Sequence, residues 1–168
     1  MNRPDQAAII LPKERSALFW WWPALVQMTL IYFASSNVGS AKNTSRIIGP
    51  LLRWLFGSVS DETVWSVQFY IRKCGHLTGY AILGILCWRA VAKPARWLAN
   101  DWQTRVAFQA WLIATLYAGT DEWHQSFVPS REGSVWDVLL DSFGVFVGLC
   151  VVRQFCHWRT ARKLKQFV

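Results

Sequence analysis

The sequence predicts an all-α membrane protein: a bundle of four transmembrane helices, with short amphipathic helices in a long first outer connection. Three observations carry this. Hydrophobic residues make up 53% of the 168-residue chain and charged residues 17%, against about 25% charged in an average soluble domain. Residues 16–41 contain no formal charge, a longer run than the roughly 18 residues that mark a spanning helix. Residues 106–120 and 142–152 are also uncharged, and a polar stretch, TDEWHQSFVPSREGSVWDVLLD, joins them. The length fits a single domain over 1–168, with a segment 1–16 before the first helix and a basic tail, 153–168, after the last.

The first helix is expected over 17–35. Trp20, Trp21, Trp22 and Pro23 crowd its start, and Phe33-Ala34-Ser35 is a poor small-residue cleavage site, so it reads as a retained helix and not a signal peptide. Further spans are expected at 74–91, 106–121 and 135–153. These are shorter between charges, so each holds ionisable groups at one end, facing a protein interior or the headgroup region. In the first connection, Ile47, Ile48, Leu51, Leu52, Leu55 and Phe56 recur at helical spacing, interrupted by Gly49-Pro50, since Pro fits best near a helix start. Ser60-Asp61 is placed to cap a second helix through Val64, Val67, Phe69 and Ile71. Both suit amphipathic helices lying on the outer surface, or a lid packed over the polar ends of the spans.

A net charge of +8 fits either nucleic acid or an anionic membrane surface. The apolar runs favour membrane lipids, and no nucleic-acid partner is expected. Twelve of the 18 Lys and Arg residues lie in the N-terminal segment, the connection between the second and third spans, or the tail, which places both termini in the cytoplasm. Trp20, Trp21, Trp22, Trp88, Trp97, Trp102 and Trp158 then fall near one interface, and Trp65, Trp123 and Trp136 near the other, as aromatic belts do. Cys74, Cys87, Cys150 and Cys156 form no CxxC pair and read as small hydrophobes in helices.

With this topology the segments 73–80, 117–125 and 131–141 meet at the outer end. Lys73, His76 and Tyr80 share one helix face, as do Tyr117, Asp121 and Gln125, with Glu122 on a neighbouring face. Asp137 and Asp141 form an i, i+4 pair continued by Gly144 and Gly148, whose GxxxG spacing lets helix backbones approach closely. Four carboxylates, Asp121, Glu122, Asp137 and Asp141, stand against Lys73 and Arg131, with His76 and His124 titratable. Burying such an excess of negative charge is unfavourable. Some carboxylates stay protonated, or a divalent cation binds among carboxylates and imidazoles, or water reaches the site. A purely structural role, with Lys73 and Arg131 clamping the helix ends through ion pairs, is the alternative, and ionisable residues clustered in spans argue for a functional site. VPSREG reads as a turn holding Arg131 over the site, where a guanidinium suits phosphate or carboxylate.

Lys73–His76–Tyr80, the block DEWHQSFVPSR, and Asp137 through Gly144 together resemble the VanZ-like family of small bacterial membrane proteins, and YFASSN at the end of the first span resembles that family's first motif. The resemblance covers about residues 30–150. It carries over Lys73, His76, Tyr80, Asp121, Glu122, Gln125, Arg131, Asp137 and Gly144; Asp141 stands where the family often has Asn, which adds a carboxylate. It implies a multi-pass protein of the bacterial cytoplasmic membrane and an association with low-level resistance to the glycopeptide teicoplanin. Three functions are then expected, in order. The first is binding or moving an anionic envelope lipid, such as a polyprenyl phosphate or cell-wall precursor, with Lys73, Tyr80, Gln125, Arg131, Asp137 and Asp141 as ligand-binding residues. The second is an enzyme acting on a lipid phosphate, with Glu122, Asp121, His76 and His124 as candidate acid–base groups. The third is a scaffold for an envelope complex.

Overall fold

The computed structural model describes residues 16–36, 41–99, 102–129, 131 and 133–165, and among helical residues not the side chains of 41–43, 93–99, 163 and 164. Arg3, Lys13 and Arg15, Asn37 of the YFASSN motif, and Ser130 and Glu132 of the VPSREG turn lie outside the described residues, as do the side chains of Lys42, Lys93, Arg96, Trp97 and Lys163. The described residues form five helices and no strand: α1 (Ala17–Ser35), α2 (Ala41–Phe56), α3 (Asp61–Ala99), α4 (Thr104–Gln125) and α5 (Val135–Lys165).

Helix α1 has the expected bounds and starts at Ser16, whose Oγ accepts from the Phe19 N–H at 3.4 Å. The expected break at Gly49-Pro50 is absent, because α2 runs straight through it. Pro50 lies on the exposed side, where its missing N–H is least costly, and Gly49 is buried, with Val64 of α3 the nearest neighbour to its Cβ position. Gly57, at φ 77°, ends α2 in the left-handed region that favours glycine. Ser60 caps α3 by accepting from the Thr63 N–H at 3.2 Å. The surface helix expected from Ser60 and the span expected at 74–91 are one unbroken helix of 39 residues, about 58 Å long at 1.5 Å per residue. No proline interrupts residues 61–93, and the helix continues through Gly75 at the expected boundary. The basic tail also departs from expectation, since α5 continues as helix to Lys165.

Side-chain pairings fix the topology. Gln27 donates to the Gly79 carbonyl at 3.1 Å and Arg89 lies over the Trp20 ring, so α1 and α3 are antiparallel. Ser35 meets Asp121 and Met28 meets Tyr117, so α1 and α4 are parallel. Lys73 meets Asp137 and His76 meets Asp141, so α3 and α5 are parallel. One end of the bundle thus collects the C-terminal ends of α1 and α4, the middle of α3 and the start of α5. Between the helices lies an apolar core of Tyr80, Leu83, Cys87, Trp88, Ala110, Ala114, Val145 and Leu149. Trp88, assigned above to an interface belt, is buried in this core and stacks on Trp102. Trp65, Trp123 and Trp136 are exposed, at 62%, 69% and 78%, toward the polar end.

The seam between α3 and α5 is built on glycine. A Cβ at Gly144 would stand 2.5 Å from the Leu77 carbonyl oxygen, and one at Gly148 would run into the Ala81 carbonyl. From the other side, Gly84 faces Val145. The GxxxG stripe therefore faces the α3 backbone, as its spacing predicts.

Among the described residues, two helical segments, Ala17–Ser35 and Val135–Arg162, are long and apolar enough to cross a membrane. Four were expected. Helix α4 ends on Asp121 and Glu122, and α3 carries Lys73 and His76 within its apolar half, which cuts both runs short. Large apolar side chains nevertheless face outward on α1, α4 and α5, among them Leu30, Phe33, Phe108, Leu116, Phe146 and Val151.

A Gly148→Leu substitution is expected to lower stability by about 1–3 kcal/mol or to prevent assembly, as overpacking does. Gly119, with open space around its Cβ position, takes Ala with a change under about 1 kcal/mol. Thermal unfolding of both variants in mild detergent checks the pair.

Candidate functional site

The polar end of the bundle is assembled by helix periodicity. Gln68, Arg72, His76 and Tyr80 lie four residues apart on one stripe of α3, Asp121 and Gln125 share a face of α4, and Asp137 and Asp141 share a face of α5. At the centre is Asp121, 3% exposed. Its Oδ2 accepts from Ser35 Oγ at 2.8 Å, Tyr80 Oη at 3.2 Å and Gln125 Nε2 at 3.2 Å, while its buried Oδ1 has no hydrogen-bond partner. Glu122, beside it, accepts from Gln125 Nε2 at 3.0 Å and from the Ser134 N–H at 2.9 Å. The chain entering α5 passes so close that a Cβ at Gly133 would strike the Glu122 carbonyl, so glycine is needed there. Asp141 is fully buried, with its Oδ1 at 3.3 Å from His76 Nδ1. One ligand atom from each of His76, Glu122 and Asp141 lies within 4.8 Å of the other two.

The two cations do different work from each other. Lys73 pairs with Asp137, both side chains being mostly buried. Arg131, expected over the site as a residue suited to phosphate or carboxylate, donates from one terminal nitrogen to the Ala34 carbonyl at 2.6 Å and the Ser36 carbonyl at 3.5 Å. It therefore ties the loop between α4 and α5 to the end of α1, leaving its buried Nε without a partner. Those carbonyls close the end of α1, and a guanidinium is well placed to satisfy them. Burial, and next Arg72, pull its pKa below the ordinary arginine value, while Asp121 and Glu122 oppose the shift.

His124 is not brought into this cluster. Its ring stacks on Tyr32 at 4.6 Å between centroids. Tyr117 shares the Asp121 face, but its hydroxyl donates to the Met28 carbonyl at 2.6 Å and braces α4 on α1. Three participants were not singled out from the sequence: Ser35, Gln68 and Arg72. Extending the His76–Tyr80 stripe backward in steps of four would have found Arg72 and Gln68.

Those two residues matter because of a pocket of about 310 Å³ between α2, α3 and Arg131. Gln68, Arg72, His76 and Arg131 are polar residues that line it, and Trp65 and Ile48 are among the apolar ones. Gln68 is 5% exposed, and neither its amide oxygen nor its amide nitrogen has a hydrogen-bond partner. A smaller hollow of about 60 Å³ shares Ala34, Gly75 and His76 with the pocket and reaches Ser35 and Tyr80. His76 therefore stands between the pocket and the buried carboxylates.

A protein-family model described as VanZ/LLP1 matches residues 19–157, most of the chain. No curated protein and no solved structure matches it.

Asp137→Asn is expected to cost about 1–3 kcal/mol, because it strands a largely buried ammonium. Pairing it with Lys73→Met should recover most of that loss, and a double-mutant cycle on melting curves measures the recovery.

Proposed function

The chain belongs to the VanZ-like family, and from that premise we propose that it acts at the outer face of the bacterial cytoplasmic membrane, binding or moving an anionic envelope lipid or cell-wall precursor. The observation that carries this reading is Gln68. A buried primary amide with both atoms unpartnered costs about 1–3 kcal/mol for each unsatisfied group. Such a cost persists where a ligand supplies the missing partners. Arg72 and Arg131 on the same pocket supply positive charge, and an unpartnered guanidinium N–H suits a phosphate oxygen. The apolar side of the pocket suits the chain of a lipid whose head meets Gln68 and the arginines.

The outward apolar side chains on α1, α4 and α5 support placing all four of α1, α3, α4 and α5 across the bilayer. The polar end then lies at the outer boundary, with both termini in the cytoplasm. Residues 61–73 of α3, together with α2, stand outside the span and form the far wall of the pocket. An association with glycopeptide (teicoplanin) resistance enters through the family and fits a protein that handles a cell-wall precursor. An enzymatic reading is favoured by the His76–Asp141 contact at 3.3 Å, which brings an imidazole and a carboxylate together beside the pocket. It requires turnover of a labelled lipid phosphate, which simple binding does not.

Gln68→Leu separates ligand binding from a scaffold role. Removing an unsatisfied amide should leave stability unchanged or raise it by about 1 kcal/mol. Retention of a long-chain polyprenyl phosphate, read by native mass spectrometry from mild detergent, should fall at least tenfold, and likewise in Arg131→Ala. Undiminished retention in both variants rejects the reading.

A further inference from the structure

The charges of the buried cluster do not balance. Asp121, Glu122 and Asp141 are each 4% exposed or less. Lys73 is taken by Asp137, and the terminal nitrogen of Arg131 is spent on backbone carbonyls. Among the described residues, no lysine or arginine forms an ion pair with any of the three. Arg131 acts on Asp121 and Glu122 only from beyond ion-pair distance, and His76, in contact with Asp141, supplies at most one charge. An uncompensated buried carboxylate is among the costliest arrangements a folded chain can hold.

We propose that His76, Glu122 and Asp141 bind a divalent transition-metal ion of the Zn²⁺ or Mn²⁺ type. One imidazole and two carboxylates are a donor set that such ions accept. The ligand atoms lie within 4.8 Å of one another, and the His76–Asp141 pair at 3.3 Å already has roughly the 3.5 Å separation that ligands 2.0–2.2 Å from one ion adopt.

A second observation points to an ion independently of the cluster's composition. Asp141 is fully buried, and both of its oxygens face His76 Nδ1, at 3.3 Å from Oδ1 and 3.4 Å from Oδ2, with no donor from outside the proposed ligand set among the described residues. Glu122, by contrast, is held in place by Gln125 and the Ser134 N–H, the kind of support that orients a metal-binding carboxylate. His76 also lines the 310 Å³ pocket, so the proposed site borders that pocket through its imidazole. The site would place a Lewis acid at the pocket's inner end.

The test uses the full chain in mild detergent, stripped with EDTA and titrated with Zn²⁺ and, separately, Mn²⁺ by calorimetry, with no lipid added. Wild type is expected to take up one ion per chain. His76→Ala and Asp141→Asn should bind at least tenfold more weakly, while His157→Ala, which removes an exposed imidazole on the tail of α5, should bind as wild type does. A readout that needs no variant covers the case in which these fail to fold: EDTA should lower the wild-type Tm and one equivalent of Zn²⁺ should restore it. Absence of stoichiometric binding of either ion to wild type overturns the proposal, as does loss of binding in His157→Ala equal to that in His76→Ala. Because lipid is left out, failure here leaves the retention of polyprenyl phosphate standing, and the reverse also holds.

Discussion

Helices α3 and α5 approach each other backbone to backbone at Gly144 and Gly148, and most of the polar architecture follows from that approach. The stripe sits on the carbonyls of Leu77 and Ala81 with no room for a Cβ. This fixes the axial register of two parallel helices. Sliding either by one turn, about 5.4 Å, would separate Asp141 from His76 and Asp137 from Lys73. The glycines bear no chemistry of their own, yet they decide which ionisable groups meet. Close packing of this kind depends on van der Waals contact more than on expulsion of water, so it remains effective where lipid surrounds the helices.

Given that register, charge is distributed in two compartments. At the rim, Lys73 and Asp137 neutralise each other. Inside, Asp121 and Glu122 are organised by neutral donors, the hydroxyls of Ser35 and Tyr80, the amide of Gln125 and the N–H of Ser134, while Asp141 faces His76. Arg131 borders both compartments while binding backbone oxygens. Its side chain closes the end of α1 and also lines the pocket, with its buried Nε unpartnered.

The helical class and the meeting of Lys73, His76 and Tyr80 with Asp121, Glu122, Gln125, Asp137 and Asp141 were legible from the sequence, because each set recurs at three- or four-residue spacing. The destination of Arg131 was not. Counting charges pairs it with carboxylates, whereas the structure spends it on carbonyls at a helix end, a demand that becomes visible only when α1 and the α4–α5 loop are placed together. His124 shows the same limit. Its neighbours in sequence are site residues, but one step around the helix points it at Tyr32. Gln68 was overlooked because a single amide among Val64, Val67, Phe69 and Ile71 reads as the polar edge of an amphipathic helix. Only burial distinguishes it. The break expected at Gly49-Pro50 failed for a related reason, since packing of Gly49 toward α3 outweighs a local preference that proline carries on its own.

The unbroken length of α3 has a mechanical consequence. Its first third forms a wall of the pocket, and its last third carries Trp88 and Arg89 against Trp102 and Trp20 at the other end of the bundle. Both belong to one continuous helix packed at its middle on the glycine seam near Leu77, Ala81 and Gly84, so the register set at that seam positions the pocket wall and the aromatic contacts of the opposite end together.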